Sequence, residues 1–97
     1  MSGETYTLWD SAEFLDDDEA RIEYLKAALA ENDPEFFAKA VGNVARAMGM
    51  TTVARGAQLG RPSLYKSLSG ERDPRLGTVM RVLDALGVRL TVAPGSV

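Results

Sequence analysis

Arg61, Pro62, Ser63 and Lys66 make the polar side of the stretch LGRPSLYKSLSG, residues 59–70, while Leu64, Tyr65 and Leu68 recur at the apolar spacing of a short helix. A helix face of cations and hydroxyls offers donors, and donors suit phosphate oxygens and the acceptor edges of bases. Arg61 can reach guanine O6 and N7 bidentately, and Ser63 can bond to base or phosphate. Gly60 and Pro62 keep the helix start slim, Lys66 faces the same way one turn on, and Ser69 adds a hydroxyl where Ser69-Gly70 ends the helix. A second short helix precedes this one. Its start carries Thr51 and Thr52, and free N–H groups at a helix start attract anions, so both threonines are expected phosphate contacts. A helical hairpin with a merely solvated polar face would show the same periodicity.

The charge distribution has the same sense. The 97 residues carry a formal net charge of −3, but the two parts of the chain differ in sign. Residues 1–35 hold eleven acids against two cations, a net of −9, and residues 36–97 hold nine cations against three acids, a net of +6. Such a split points to nucleic acid for the basic part and a basic protein surface for the acidic part. Two solvated faces that satisfy each other would account for it equally well.

The sequence contains no Cys and no His. Thiol nucleophiles, disulfides, thiolate metal sites and imidazole acid/base chemistry are therefore absent, and catalysis would need paired carboxylates or an activated Ser or Lys. No enzyme activity, no catalytic residues and no cofactor are expected. The run Asp16 to Glu19 gathers oxygen ligands of the type that hard cations use. Consecutive positions at a helix start do not converge on one ion, so no metal is expected. Neither a secretion signal nor an apolar run of membrane-spanning length is visible, which predicts a cytoplasmic protein without a membrane partner.

The elements that must position these residues can be read in order. Residues 5–8, TYTL, alternate like a short strand; Asp10 and Glu13 form a capping box, with Trp9 and Phe14 as its staple, for a one-turn helix over 11–15. Asp16 or Asp17 caps a helix of about 18–31 with Ile22, Leu25, Ala28 and Leu29 on one face. Asp33-Pro34 starts the best amphipathic helix, with Phe37, Ala40, Val41, Val44, Ala45 and Met48 inward and a stop at Gly49. Thr51 caps a helix of about 52–57 with Val53, Ala54 and Ala57 inward. Residues 58–60 turn, 61–68 form the helix above, and 76–86 form the last helix, with Leu76, Val79, Met80, Leu83 and Leu86 inward and Gly87 beyond its end. Residues 88–92, VRLTV, alternate like a half-buried strand.

Two short helices joined by a three-residue turn and flanked by a longer helix on each side are the arrangement of a helix-turn-helix DNA-binding domain. At these residues the chain resembles a known family. GMTTVARGAQLGRPSLYKSLSGERDPRLGTVMRVLDALGVRLTV, residues 49–92, is similar to the addiction-module antidote proteins, the HigA-type antitoxins of the Cro/repressor-like class. The marks are Ala54 between the short helices, R-x-S-L-Y-K-x-L-S-G from Arg61, the Pro74 loop, and T-V-x-x-V-L-x-A-L-G from Thr78. Residues 9–50 are similar to the N-terminal part of the same family. The chain departs from the pattern with Gln58 where such a turn has Gly, Gly60 where it has Ser, and Gly56 inside the first short helix.

The resemblance implies a mainly α, lambda-repressor-like helix-turn-helix bundle with an N-terminal helical extension and short terminal β-strands. Residues 1–33 would be the acidic extension packed on the core, and 34–97 the DNA-binding domain with its C-terminal strand. It also implies an antitoxin that binds operator DNA of its own promoter and neutralises a small basic RelE/ParE-type toxin. A homodimer is expected, with an interface involving the C-terminal region, because one short helix reads only a few base pairs. A regulator with the same DNA-binding helices and no toxin partner shares every one of these residues. A protein-interaction module that never touches DNA is the third reading.

Overall fold

Caps chosen by the local sequence delimit the first helices. The computed structural model describes residues 17–71 and 73–95, which form α1 (Asp18–Leu29), α2 (Pro34–Met48), α3 (Met50–Ala57), α4 (Arg61–Ser67) and α5 (Leu76–Ala85). Asp17 caps α1 by accepting from the Ala20 N–H at 3.3 Å, and Asp18 and Glu19 place negative charge at the positive end of the helix dipole. Asp33 caps α2 through the N–H groups of Glu35 and Phe36, at 3.1 and 3.3 Å, and Pro34 takes the first position, where a missing N–H costs nothing. Gly49, at φ 106, is both the end of α2 and the start of α3. A side chain there would be strained, and the single residue between the helices fixes their junction tightly.

α2 is the central helix. Its residues Ala38, Ala40, Val41, Gly42, Asn43, Val44 and Ala45 are all buried, so it is covered on more than the one stripe its periodicity announced. Tyr24, Leu25 and Ala28 of α1 join the same core as Val53, Ala54 and Ala57 of α3, Leu64 of α4, and Val79, Val82 and Leu83 of α5. Two close approaches are built on glycine. A Cβ on Gly42 would stand 3.0 Å from the Leu68 carbonyl oxygen, and one on Gly56 would stand 3.1 Å from the Ala85 Cβ. Gly56, a poor helix former in the last turn of α3, is thus what lets α3 lie against α5.

The structure corrects several local expectations. α1 buries Tyr24, Leu25 and Ala28, while Ile22 and Leu29 are exposed, because α2 meets the side of α1 that carries Tyr24. α1 ends at Leu29 rather than 31; the chain then turns through Asn32 at φ 56. α3 begins at Met50 with Gly49 as its cap, so Thr51 lies within the first turn and caps nothing. On α5, Leu76 and Met80 are 65% and 54% exposed, and Val82 is buried in their place. Tyr65 of α4 is 43% exposed rather than packed inward with Leu64 and Leu68. Residues 88–92 form no strand among the described residues, which offer them no second strand to pair with. The expected strand over 5–8 and the capped turn over 10–15 lie outside the described residues.

Candidate nucleic-acid interface

The two short helices owe their mutual position to the ends of α3. Gln58 adopts the left-handed conformation, φ 60 and ψ 43, and its N–H and that of Leu59 donate back to the carbonyls of Arg55 and Ala54 at 3.2 and 2.9 Å. This is a Schellman ending with a glutamine in the glycine position. Two carbonyls at the end of α3 take their partner from another helix. Arg81 of α5 donates through Nε and Nη2 to the Ala57 oxygen, at 3.1 and 2.8 Å, and through Nη2 to the Gln58 oxygen at 3.0 Å. A guanidinium there also lies at the negative end of the α3 dipole. Sequence reasoning counted Arg81 only as one of many cations; nothing within its own helix signals the clasp.

Between Phe36 and Gly70 the chain has no acidic residue, and it has five cations, Lys39, Arg46, Arg55, Arg61 and Lys66. Arg46 is exposed, and its Nη2 donates to the side-chain oxygen of the buried Asn43. Arg55 of α3 and Arg61 and Lys66 of α4 are exposed, as are Thr51 and Thr52 in the first turn of α3 and Gly60, Pro62 and Ser63 at the start of α4. Gly49 and Gly60 bring no side-chain acceptor to the first turns of α3 and α4. Ser69 differs from the others. Its hydroxyl donates to the Lys66 carbonyl at 3.1 Å and accepts from the Glu71 N–H at 3.2 Å, which binds it into the loop after α4.

One residue of this surface was missed from the sequence. Tyr65 stands beside Arg61, whose Nη2 donates to the phenol oxygen at 3.3 Å while its guanidinium carbon lies 5.8 Å from the ring centroid. The signal was present as an Arg and a Tyr four residues apart, the spacing at which helical side chains meet. Reading Tyr65 as an apolar core position concealed it. Chemically, the exposed face of α3 and α4 is a set of cationic and hydroxyl donors with no carboxylate among them, suited to neutralising phosphates and to addressing base acceptors.

Apolar grooves lie elsewhere. They are lined by residues of α1, α2, α5 and the segment 87–91, among them Ile22, Leu29, Leu76, Met80 and Leu90, and by no residue of α3 or α4. The acidic start of α1 is engaged locally, with Asp17 as the cap and Asp18 paired to Arg21 at 2.7 Å. Among the described residues no group of three potential ligands is placed to hold a metal ion, and no helix is long and apolar enough to cross a membrane.

Comparison with known proteins bears on most of the chain. A family model described as "Probable addiction module antidote protein" matches residues 5–94. An uncharacterized protein of Haemophilus influenzae is 40% identical over 84 residues, which are 87% of this chain and 87% of the relative. No solved structure matches the chain.

Proposed function

The chain belongs to the probable addiction module antidote family, and we propose that it is the antitoxin of a type II toxin–antitoxin module, of the HigA type within the Cro/repressor-like class. In this reading α3 and α4 are the helix-turn-helix, α4 is the recognition helix that enters the major groove, and the protein represses its own promoter by binding operator DNA there. The observation that carries the reading is the family match across residues 5–94. The acid-free stretch from Phe36 to Gly70 supports the DNA-binding part, since the phosphate backbone of a duplex repels carboxylates.

The partner is a small basic toxin of the RelE/ParE type. A toxin that acts on nucleic acid is itself cationic, and residues 1–35, with a net charge of −9, complement it. The protein works as a homodimer in the cytoplasm. A twofold pair places two recognition helices one DNA turn apart, roughly 34–36 Å. The exposed Leu76, Met80 and Val92, with the grooves around Leu90, supply apolar surface for such a contact away from α3 and α4. The reading assigns no catalysis, cofactor or metal to the chain.

Co-expression with the adjacent small open reading frame, purified through a tag on this chain, tests the toxin partnership. Co-purification of a basic protein whose toxicity this chain relieves is the expected result. A salt-dependent mobility shift with promoter DNA tests the operator. DNA binding without any captured partner would leave a transcriptional regulator that has no toxin, and capture of a partner without DNA binding would leave a protein-interaction module.

A further inference from the structure

The Arg61 side chain does not project from the tip of α4. It lies back along the helix, with Nη2 3.3 Å from the Tyr65 hydroxyl oxygen and the guanidinium carbon 5.8 Å from the ring centroid. Core packing does not require an aromatic at position 65: Leu64 and Leu68 are buried, whereas Tyr65 is 43% exposed. The exposed ring is instead the surface on which Arg61 rests.

We propose that Arg61 and Tyr65 form one base-reading unit and that Tyr65 is a specificity-determining residue of the DNA surface, a step that rests on the DNA-binding reading above. A solvated arginine samples many rotamers, and ordering it opposes binding. The ring and the hydroxyl hold the guanidinium in place before DNA arrives. Of the five N–H donors of the guanidinium, one is taken by the phenol oxygen and the others remain for acceptors. The phenol O–H remains a donor too, and its polarity is raised by the hydrogen bond it accepts from a cation. The pair thus presents neighbouring donors one turn inside the helix tip. Its matching partner is a guanine, read at O6 and N7, with a second acceptor beside it on the adjacent base or phosphate.

Binding-site selection from a randomised duplex pool, followed by titration of single-base variants of the selected site, tests the proposal with the full-length protein. Arg61→Ala and Tyr65→Ala are expected to relax preference at the same base pair, each lowering discrimination there by roughly tenfold or more. The double variant should discriminate no worse than Arg61→Ala alone, which is the signature of coupled residues. Tyr65→Phe keeps the ring, loses the hydrogen bond and should fall between. Because Tyr65 carries no charge, its variants should leave the salt slope at the wild-type value. Tyr65→Phe removes one exposed oxygen and keeps the fold, so it decides the matter even where Tyr65→Ala melts early. A wild-type protein that selects a site, with Tyr65 variants that select the same site equally sharply, overturns the role of Tyr65 alone. Strictly additive effects of the two residues overturn the single unit. A wild-type protein that selects and shifts no duplex overturns the DNA-binding reading and this proposal together.

Discussion

Arg81 and Ala57, on different helices, are joined by two hydrogen bonds: the Ala57 carbonyl accepts from Nη2 of Arg81 at 2.8 Å and from Nε at 3.1 Å. The Gln58 carbonyl accepts from the same Nη2 at 3.0 Å. The last helix thereby holds the turn between the two short helices, and the position of α4 depends on a residue twenty and more positions downstream.

Removing that clasp leaves two helix-end carbonyls without their charged donor. Arg81→Met keeps most of the aliphatic stem and should lower stability by about 1–3 kcal/mol. Denaturant titration reads the loss, and Arg81→Lys should recover only part of it because an ammonium lacks the planar fork. A midpoint at the wild-type value in Arg81→Met would show that the clasp contributes nothing.

Gln58 occupies a conformation that favours glycine, so the turn holds strain that a substitution can release. Gln58→Gly is expected to raise stability by about 0.5–1 kcal/mol, the relief of left-handed backbone strain less the greater freedom of glycine in the unfolded chain. The measurement is the denaturant midpoint with the slope unchanged. A fall in the midpoint would mean that the glutamine side chain contributes more than its backbone costs.

Ala54 is buried where α3 meets its neighbours, and its carbonyl takes the Leu59 N–H that closes the turn. Ala54→Leu overpacks this site and should cost about 1–3 kcal/mol. On the proposed function it should lose DNA binding together with thermal stability. Wild-type melting in this variant would contradict the packing described.

Tyr24 and Asn43 form the buried polar contact between α1 and α2, with the Asn43 Nδ2 donating to the phenol oxygen at 2.7 Å. Tyr24→Phe strands that donor and should cost about 1–3 kcal/mol at neutral pH. A pH dependence accompanies it. Burial holds the Tyr24 phenol above its ordinary 10.0, against the opposing pull of the Asn43 hydrogen bond and the Arg46 charge. The folded state therefore keeps its proton where the unfolded chain has begun to lose it. Stability owed to Tyr24 is fully present below pH 10, and it is lost as pH rises above 10 through the folded-state value. Denaturation of both proteins at neutral pH and above pH 10 should show a steeper alkaline loss in wild type than in Tyr24→Phe. Equal slopes would place the alkaline sensitivity elsewhere.

The helix starts at Asp17 and Asp33-Pro34, the breaks at Gly49 and Gly87 and the turn at 58–60 were all legible in the sequence, because caps and turns are settled by hydrogen bonds and dihedrals within about four residues. The donor character of the α3–α4 surface was legible for a similar reason: charge and hydroxyl content belong to composition. Which way a side chain faces was not. Tyr65 matches the helical period as well as Leu64 does, and Leu76 and Met80 match it as well as Val79 and Leu83, yet Leu64, Val79 and Leu83 are buried in the core and Tyr65, Leu76 and Met80 are exposed. Gly56 reads as a flaw in a helix until Ala85 is seen against it, and Arg81 as one cation among many until the carbonyls of Ala57 and Gln58 lie before it. Periodicity defines a stripe on one helix, but burial is decided by the surface across from it, and that surface comes from residues distant in sequence that only the packed fold brings near.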